Sequence, residues 1–187
     1  MSNRLQAFVA AVNEALANGD GEAQLLQQVQ GAMKTLVGVD DWLPGDLAQP
    51  HPQYYQQYLL HCDPASRFSV VSFVWGPGQQ TPIHDHTVWG VIGMLRGAEL
   101  AQGFRQTAQG MVAEGAPERL NPGDVAAVSP TIGDIHRVSN AFNDRVSISI
   151  HVYGTDIGRQ SRHVFDAATG QVKDFISGYA NATKSAA

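Results

Sequence analysis

The chain has one cysteine, few charged side chains and no long apolar run, and each scarcity removes a class of protein. Cys62 stands alone among 187 residues, so no intramolecular disulfide can form. That predicts a reducing compartment, with the cytoplasm as the expected location and Cys62 as an ordinary buried thiol. The 12 Lys and Arg are outnumbered by 17 Asp and Glu, for a formal net charge of -5, and never gather into a basic stripe that could follow a phosphate backbone. Nucleic acid is not an expected partner. No segment approaches the roughly 20 apolar residues of a membrane span. The opening MSNRLQAFVAAVNEALANGDG, interrupted by Asn13 and Glu14, reads as an amphipathic helix rather than a signal peptide. Membrane is not an expected partner either.

What is present is apolar material, 43% hydrophobic residues against 16% charged, enough to bury the core of one domain spanning residues 1–187. A core of this size could stand alone, so a monomer or small homo-oligomer is expected. Leu5, Phe8, Val9, Val12 and Leu16 recur at helical spacing, as do Leu25, Leu26, Val29, Met33 and Leu36 after a Gly-rich break. Residues 1–66 are therefore expected to be a helical N-terminal part. Within it, Tyr54 to Leu60 fits a short helix and a strand equally. From residue 67 to 180 the texture changes to short runs rich in Val, Ile, Phe and Tyr, punctuated by Gly and Pro, which predicts an all-β sandwich or barrel. The strand candidates are Phe68 to Val74, Trp89 to Leu95, Glu99 to Arg105, Met111 to Glu114, Asp124 to Val128, His136 to Ser139 and Val146 to Tyr153. A last hairpin pairs Arg162 to Phe165 with Val172 to Phe175, and Asn181 to Ala187 reads as a frayed tail.

Chemistry concentrates in the histidines. On an extended chain side chains alternate, so His84 and His86 point the same way about 7 Å apart and can reach one ion, while Asp85 faces away. His136 opens a later strand candidate, and a barrel could bring it opposite the pair. Taken alone, the two histidines also fit surface or hydrogen-bonded core positions. Their surroundings narrow the choice. Gly78, five residues, His84, one residue, His86, then six residues between Gly90 and Gly97 resembles the first cupin motif. Gly123, Pro130, Gly133, His136 and Asn140 resemble the second more loosely. The resemblance implies a double-stranded antiparallel, jelly-roll-like β-barrel with N-terminal helices. Where the usual cupin has a glutamate ligand this chain has Gly90, so three neutral imidazoles leave the charge of a divalent ion uncompensated and favour an anionic substrate.

A second cluster is Ser149-Ile150-His151-Val152-Tyr153, whose period of two places Ser149, His151 and Tyr153 on one strand face. Alone it fits a polar outer face. Beside the histidines it resembles the Ser-His-Tyr relay of the thiol dioxygenases, the cysteine dioxygenase family. That resemblance covers roughly Tyr55 to Tyr153. It implies one ferrous ion per chain on His84, His86 and His136, and a reaction adding both atoms of O2 to a small thiol substrate to give a sulfinic acid. Tyr153 would hydrogen-bond toward the ligands of the iron, held by His151 and Ser149. With Gly90 in place, the tyrosine–cysteine crosslink of the mammalian-type enzyme is impossible there.

The family's carboxylate-binding arginine aligns with Gln57, or one residue earlier with Gln56, which resembles the bacterial branch acting on 3-mercaptopropionate. Arg162 matches the arginine that branch offers instead, although it also fits a solvated position on a terminal hairpin. Trp89 fits either a pocket wall or the core. The expected activity is a thiol dioxygenase favouring 3-mercaptopropionate, with L-cysteine as the alternative. A cupin using another metal, or one that only binds a ligand, would make the relay coincidental.

Overall fold

The computed structural model describes residues 1–182. Two helices, α1 (Asn3–Ala17) and α2 (Glu22–Val37), open the chain, and the Ser2 hydroxyl caps α1 by accepting from the Leu5 N–H. Among the described residues, no helix is long and apolar enough to cross a membrane. Eleven strands follow: β1 (Gln56–Cys62), β2 (Ser69–Trp75), β3 (Ile83–His84), β4 (Gly90–Arg96), β5 (Glu99–Thr107), β6 (Gly110–Leu120), β7 (Val125–Val128), β8 (His136–Asn140), β9 (Ser147–Tyr153), β10 (Arg162–Phe165) and β11 (Val172–Phe175). They form two antiparallel sheets, ordered β1-β2-β9-β4-β7 and β11-β10-β3-β8-β5-β6. This is the double-stranded cupin barrel expected from the sequence.

The helices cover the outer face of the first sheet. Leu5, Phe8, Val12, Val29 and Met33 pack with Val70, Val91, Ile148, Ile150 and Val152 in one cluster, and a Cβ at Gly93 of β4 would sit 2.6 Å from Met33 Cγ. Every residue of β9 is consequently buried. Its apolar residues Ile148, Ile150 and Val152 face the helices, which leaves Ser147, Ser149, His151 and Tyr153 on the barrel interior. The polar row is an inner face, contrary to the outer-face alternative. Between the sheets, Val71, Phe73 and Trp75 meet Val138 and Tyr153, and Ile92 and Met94 meet Leu120.

Two boundaries differ from expectation. Residues 56–62 pair with β2 as an edge strand, so the N-terminal part is not helical through residue 66. Tyr55, Tyr58 and Leu59 satisfy helical spacing as well as alternation, and the free edge of β2 decides between them. At the other end, Asn181 is not frayed: its Oδ1 accepts from the Leu59 N–H at 2.8 Å and its Nδ2 donates to the Leu59 carbonyl at 3.0 Å, covering the outer edge of β1. The rest of the expected tail, residues 183–187, lies outside the described residues.

Candidate metal centre

β3 and β8 are antiparallel neighbours with His84 directly opposite His136, and His86 follows two residues beyond His84. The three imidazoles form an almost equilateral triangle, with 4.9 Å between each pair of ring centroids. One nitrogen from each lies within 4.8 Å of the others, and all three residues are buried.

Burial and mutual repulsion hold the His84 and His86 rings well below the ordinary histidine range, and burial holds His136 down to about 4. All three are therefore neutral at pH 7, the form that ligates metal. Two are oriented. His84 Nδ1 donates to the Pro82 carbonyl at 3.1 Å and His86 Nδ1 to Asp134 Oδ1 at 2.8 Å, which leaves each Nε2 lone pair for an ion. This donor set fits a divalent transition metal with three nitrogen ligands and open positions.

Asp134 does more than orient one ring. Its Oδ2 accepts from the backbone N–H of both His86 and Thr87, and Thr87 is one of only two non-glycine residues at positive φ among the described residues. One carboxylate thus fixes the turn that follows the His-x-His pair. Asp85 points the other way, as alternation predicts, and pairs with His163 of β10 at 2.7 Å.

The polar row of β9 runs up to this triangle. Trp75 Nε1 donates to Ser149 Oγ at 3.0 Å, Ser149 Oγ meets His151 Nε2 at 2.8 Å, and His151 Nδ1 meets the Tyr153 hydroxyl at 2.8 Å. The Tyr153 ring stacks on His86, with centroids 5.1 Å apart. Burial holds His151 neutral and raises the Tyr153 phenol well above its usual value, so both keep neutral rings at pH 7. Opposite Tyr153 on β4 stands Gly90, where an added Cβ would lie 2.8 Å from the Tyr153 ring. The place of the missing cupin glutamate is taken up by the tyrosine ring.

Arg162, on β10, is buried rather than solvated. Its Nη2 donates to Ser177 Oγ at 2.8 Å, its guanidinium lies 4.5 Å over the Phe175 ring, and its Nε has no partner among the described residues. Arg162 lies two residues before Val164, which stands opposite His84 in the β10–β3 pairing, so it borders the centre. Gln57 is also buried and gives its amide N–H groups to Ser177 Oγ and the Gly178 carbonyl. The Gln56 side chain, by contrast, donates to the neighbouring Tyr55 carbonyl. Trp89 packs with the helix-side core and against Gly154. Cys62 is half-buried, its thiol pushed up by burial and by Asp156.

Sequence reasoning missed Asp134, Ser177 and the steric role of Gly90. Asp134, two residues before a candidate ligand, was the one with a local signal.

The family model described as Cysteine dioxygenase type I matches residues 8–182. Cysteine dioxygenase type 1 of Danio rerio is 28% identical over 151 residues, covering 78% of this chain and 72% of that protein. Among solved structures, a double-stranded β-helix protein from Klebsiella pneumoniae superposes with a TM-score of 0.48 at 16% identity, over 73% of this chain and 97% of that one. A cupin 2 domain-containing protein from Halorhodospira halophila gives 0.47 at 17% identity, over 69% and 81%. The family match spans most of α1, all of α2, the whole barrel, the three histidines and the β9 row, and this chain belongs to the cysteine dioxygenase type I family of cupin thiol dioxygenases.

Proposed function

We propose that the protein is an iron(II)-dependent dioxygenase of small thiol carboxylates, R–SH + O2 → R–SO2H, that favours 3-mercaptopropionate. The observation that carries this reading is a buried, incompletely partnered cation, Arg162, beside three neutral histidines that include no carboxylate ligand. Such a site is short of negative charge in two places, and a thiolate carboxylate supplies one at each end.

When bound to the three histidines, iron(II) supplies open positions at which a thiolate and O2 come together. The chain's own residues do the rest. Arg162 holds the substrate carboxylate, and the bond to Ser177 fixes the guanidinium in place. Gln57 acts one step back, because both its N–H bonds go to the Ser177–Gly178 turn that positions Arg162. Tyr153, kept protonated by burial, presents its hydroxyl at the edge of the centre, and His151 and Ser149 set its orientation.

L-Cysteine is the second reading, favoured by the Danio rerio relative. The test is oxygen uptake by protein loaded anaerobically with iron(II), given each thiol in turn, with the sulfinate identified by mass. Higher kcat/KM for 3-mercaptopropionate is expected. Preference for L-cysteine overturns the substrate, and activity restored by manganese or zinc but not iron overturns the metal.

A further inference from the structure

Asp85 sits between His84 and His86 yet turns its carboxylate away from them, and the proposed reaction gives it no task. Two ladder pairs join β3 to β10, Ile83 with Phe165 and His84 with Val164. Side chains alternate along both strands, so the inner face of the pair carries His84 and Arg162, and the outer face carries Asp85 and His163.

Past His84 the ladder continues for one residue in altered form. The Asp85 N–H donates to the His163 carbonyl at 3.2 Å, as in a regular antiparallel pair. The return bond, from the His163 N–H, goes to Asp85 Oδ1 at 2.8 Å, a side-chain oxygen in place of a backbone one. The second carboxylate oxygen accepts from His163 Nδ1 at 2.7 Å. β3 is leaving the sheet here, drawn into the His86–Thr87 turn that Asp134 holds. The longer reach of the carboxylate keeps β10 attached where the backbone has begun to diverge, and bonds to an anion are the stronger kind. One residue further along the register, Arg162 comes level with His86. Those are the two ends of the substrate site, His86 in the histidine triangle and Arg162 as the buried cation. Asp85 and His163 each stand one residue along the chain from one of these ends, and the other partner of β10 is β11, on the side away from the histidines.

We infer, resting on the thiol carboxylate reading of the site, that Asp85 and His163 are positioning residues: their paired bonds set the distance between the histidine triangle and the Arg162 guanidinium, and so select the chain length between thiol and carboxylate. A substrate held at both ends fits only where its span matches that distance. 3-Mercaptopropionate has two carbons between sulfur and carboxyl, mercaptoacetate one and 4-mercaptobutyrate three. With the distance fixed, the shorter homologue leaves its carboxylate short of the guanidinium, and the longer one must buckle. Without the Asp85 carboxylate, β10 is held to β3 only up to His84, the gap beyond it widens, and the longer homologue is the one that gains.

The test compares the three thiols in wild type, Asp85→Ala, Asp85→Asn and His163→Ala. Oxygen uptake with iron(II) gives kcat/KM, and the visible absorption change of cobalt(II)-loaded protein on thiolate binding gives Kd without turnover. In the wild type both should favour 3-mercaptopropionate over either homologue by roughly tenfold or more, the usual worth of one methylene at a fitted site. In Asp85→Ala the preference over 4-mercaptobutyrate should shrink to about threefold or less on the same scale, with metal content still one per chain. His163→Ala, which loses only the ring bond of a half-buried residue, should fall between the two. Asp85→Asn keeps an oxygen for the His163 N–H and an amide for the ring, and should retain most of the preference. An equal loss for all three thiols, as a merely structural role would give, overturns the inference. So does a preference unchanged in both alanine variants, or a wild-type Kd that ignores chain length. His163→Ala decides should Asp85→Ala not fold. If the cobalt titrations show the length preference and its loss but no thiol is oxidised, the assigned reaction fails while the role of Asp85 and His163 stands.

Discussion

Gln57 on β1 and Arg162 on β10, from different sheets, donate to one oxygen, Ser177 Oγ, at 3.3 and 2.8 Å. Ser177 is thereby a joint between the edge strand of one sheet and the cation that borders the metal centre. Because Gln57 acts on Arg162 through this joint, its amide and the guanidinium are parts of one device.

Kinetics can separate the members of that device. Arg162→Gln removes the charge proposed to hold the substrate carboxylate, and KM for 3-mercaptopropionate should rise at least tenfold, since a bond to a charged group is worth roughly 1.5–3 kcal/mol. Ser177→Ala leaves the charge but frees the guanidinium, so a smaller rise in KM with kcat nearly kept is expected. Equal KM in wild type and Arg162→Gln by steady-state oxygen uptake would remove Arg162 from substrate binding.

Gly90 tests whether the tyrosine ring needs the space that a cupin ligand would fill. Gly90→Ala places a Cβ 2.8 Å from Tyr153 Cδ1 and 3.2 Å from Val128 Cγ2, so the ring must shift. The three histidines lie outside β4, on β3, on β8 and just past the end of β3. Metal content should stay stoichiometric by elemental analysis while kcat falls by roughly a hundredfold, the usual cost of an ångström of misplacement. Unchanged kcat would show that the exact position of Tyr153 does not matter.

The buried histidine triangle and the β9 row were legible because their logic is local. His84-Asp85-His86 and Ser149, His151, Tyr153 need only the two-residue period of an extended chain to share a face. Which face was inward was not legible, since it depends on α1 and α2 covering Ile148, Ile150 and Val152. Ser177 carried no signal because its role exists only once it meets Gln57, 120 residues away. β1 was ambiguous for the same reason, its state being decided by pairing with β2.

Asp134 holds His86 and Thr87 through three hydrogen bonds, two of them to backbone N–H groups. Asp134→Asn keeps the shape but removes the charge and one acceptor, leaving the His86 ring or the Thr87 turn less well held. Iron(II) affinity, measured by competition with a chelator, should weaken 10–100-fold, as is usual when the partner of a ligating histidine is lost. Affinity within twofold of wild type would mean that the backbone alone fixes the turn.

Glu99 gives the protein a stability signature between about pH 4.5 and 7 that a variant can isolate. Its folded pKa of about 7 lies above the ordinary 4.5, so the folded state holds its proton more tightly than the unfolded state. The stability tied to that proton is complete below 4.5 and is lost as pH rises toward 7. The buried histidines work in the opposite sense: with folded pKa values below 6.5, they lower stability as pH falls beneath that value. Both variants share the histidines, so the difference in unfolding free energy between Glu99→Gln and wild type removes them. That difference should grow in favour of Glu99→Gln by about 3 kcal/mol across this range and level off above it. Urea titrations at a series of pH values measure it directly. A difference that stays flat would mean the Glu99 carboxyl titrates in the folded protein as it does in water.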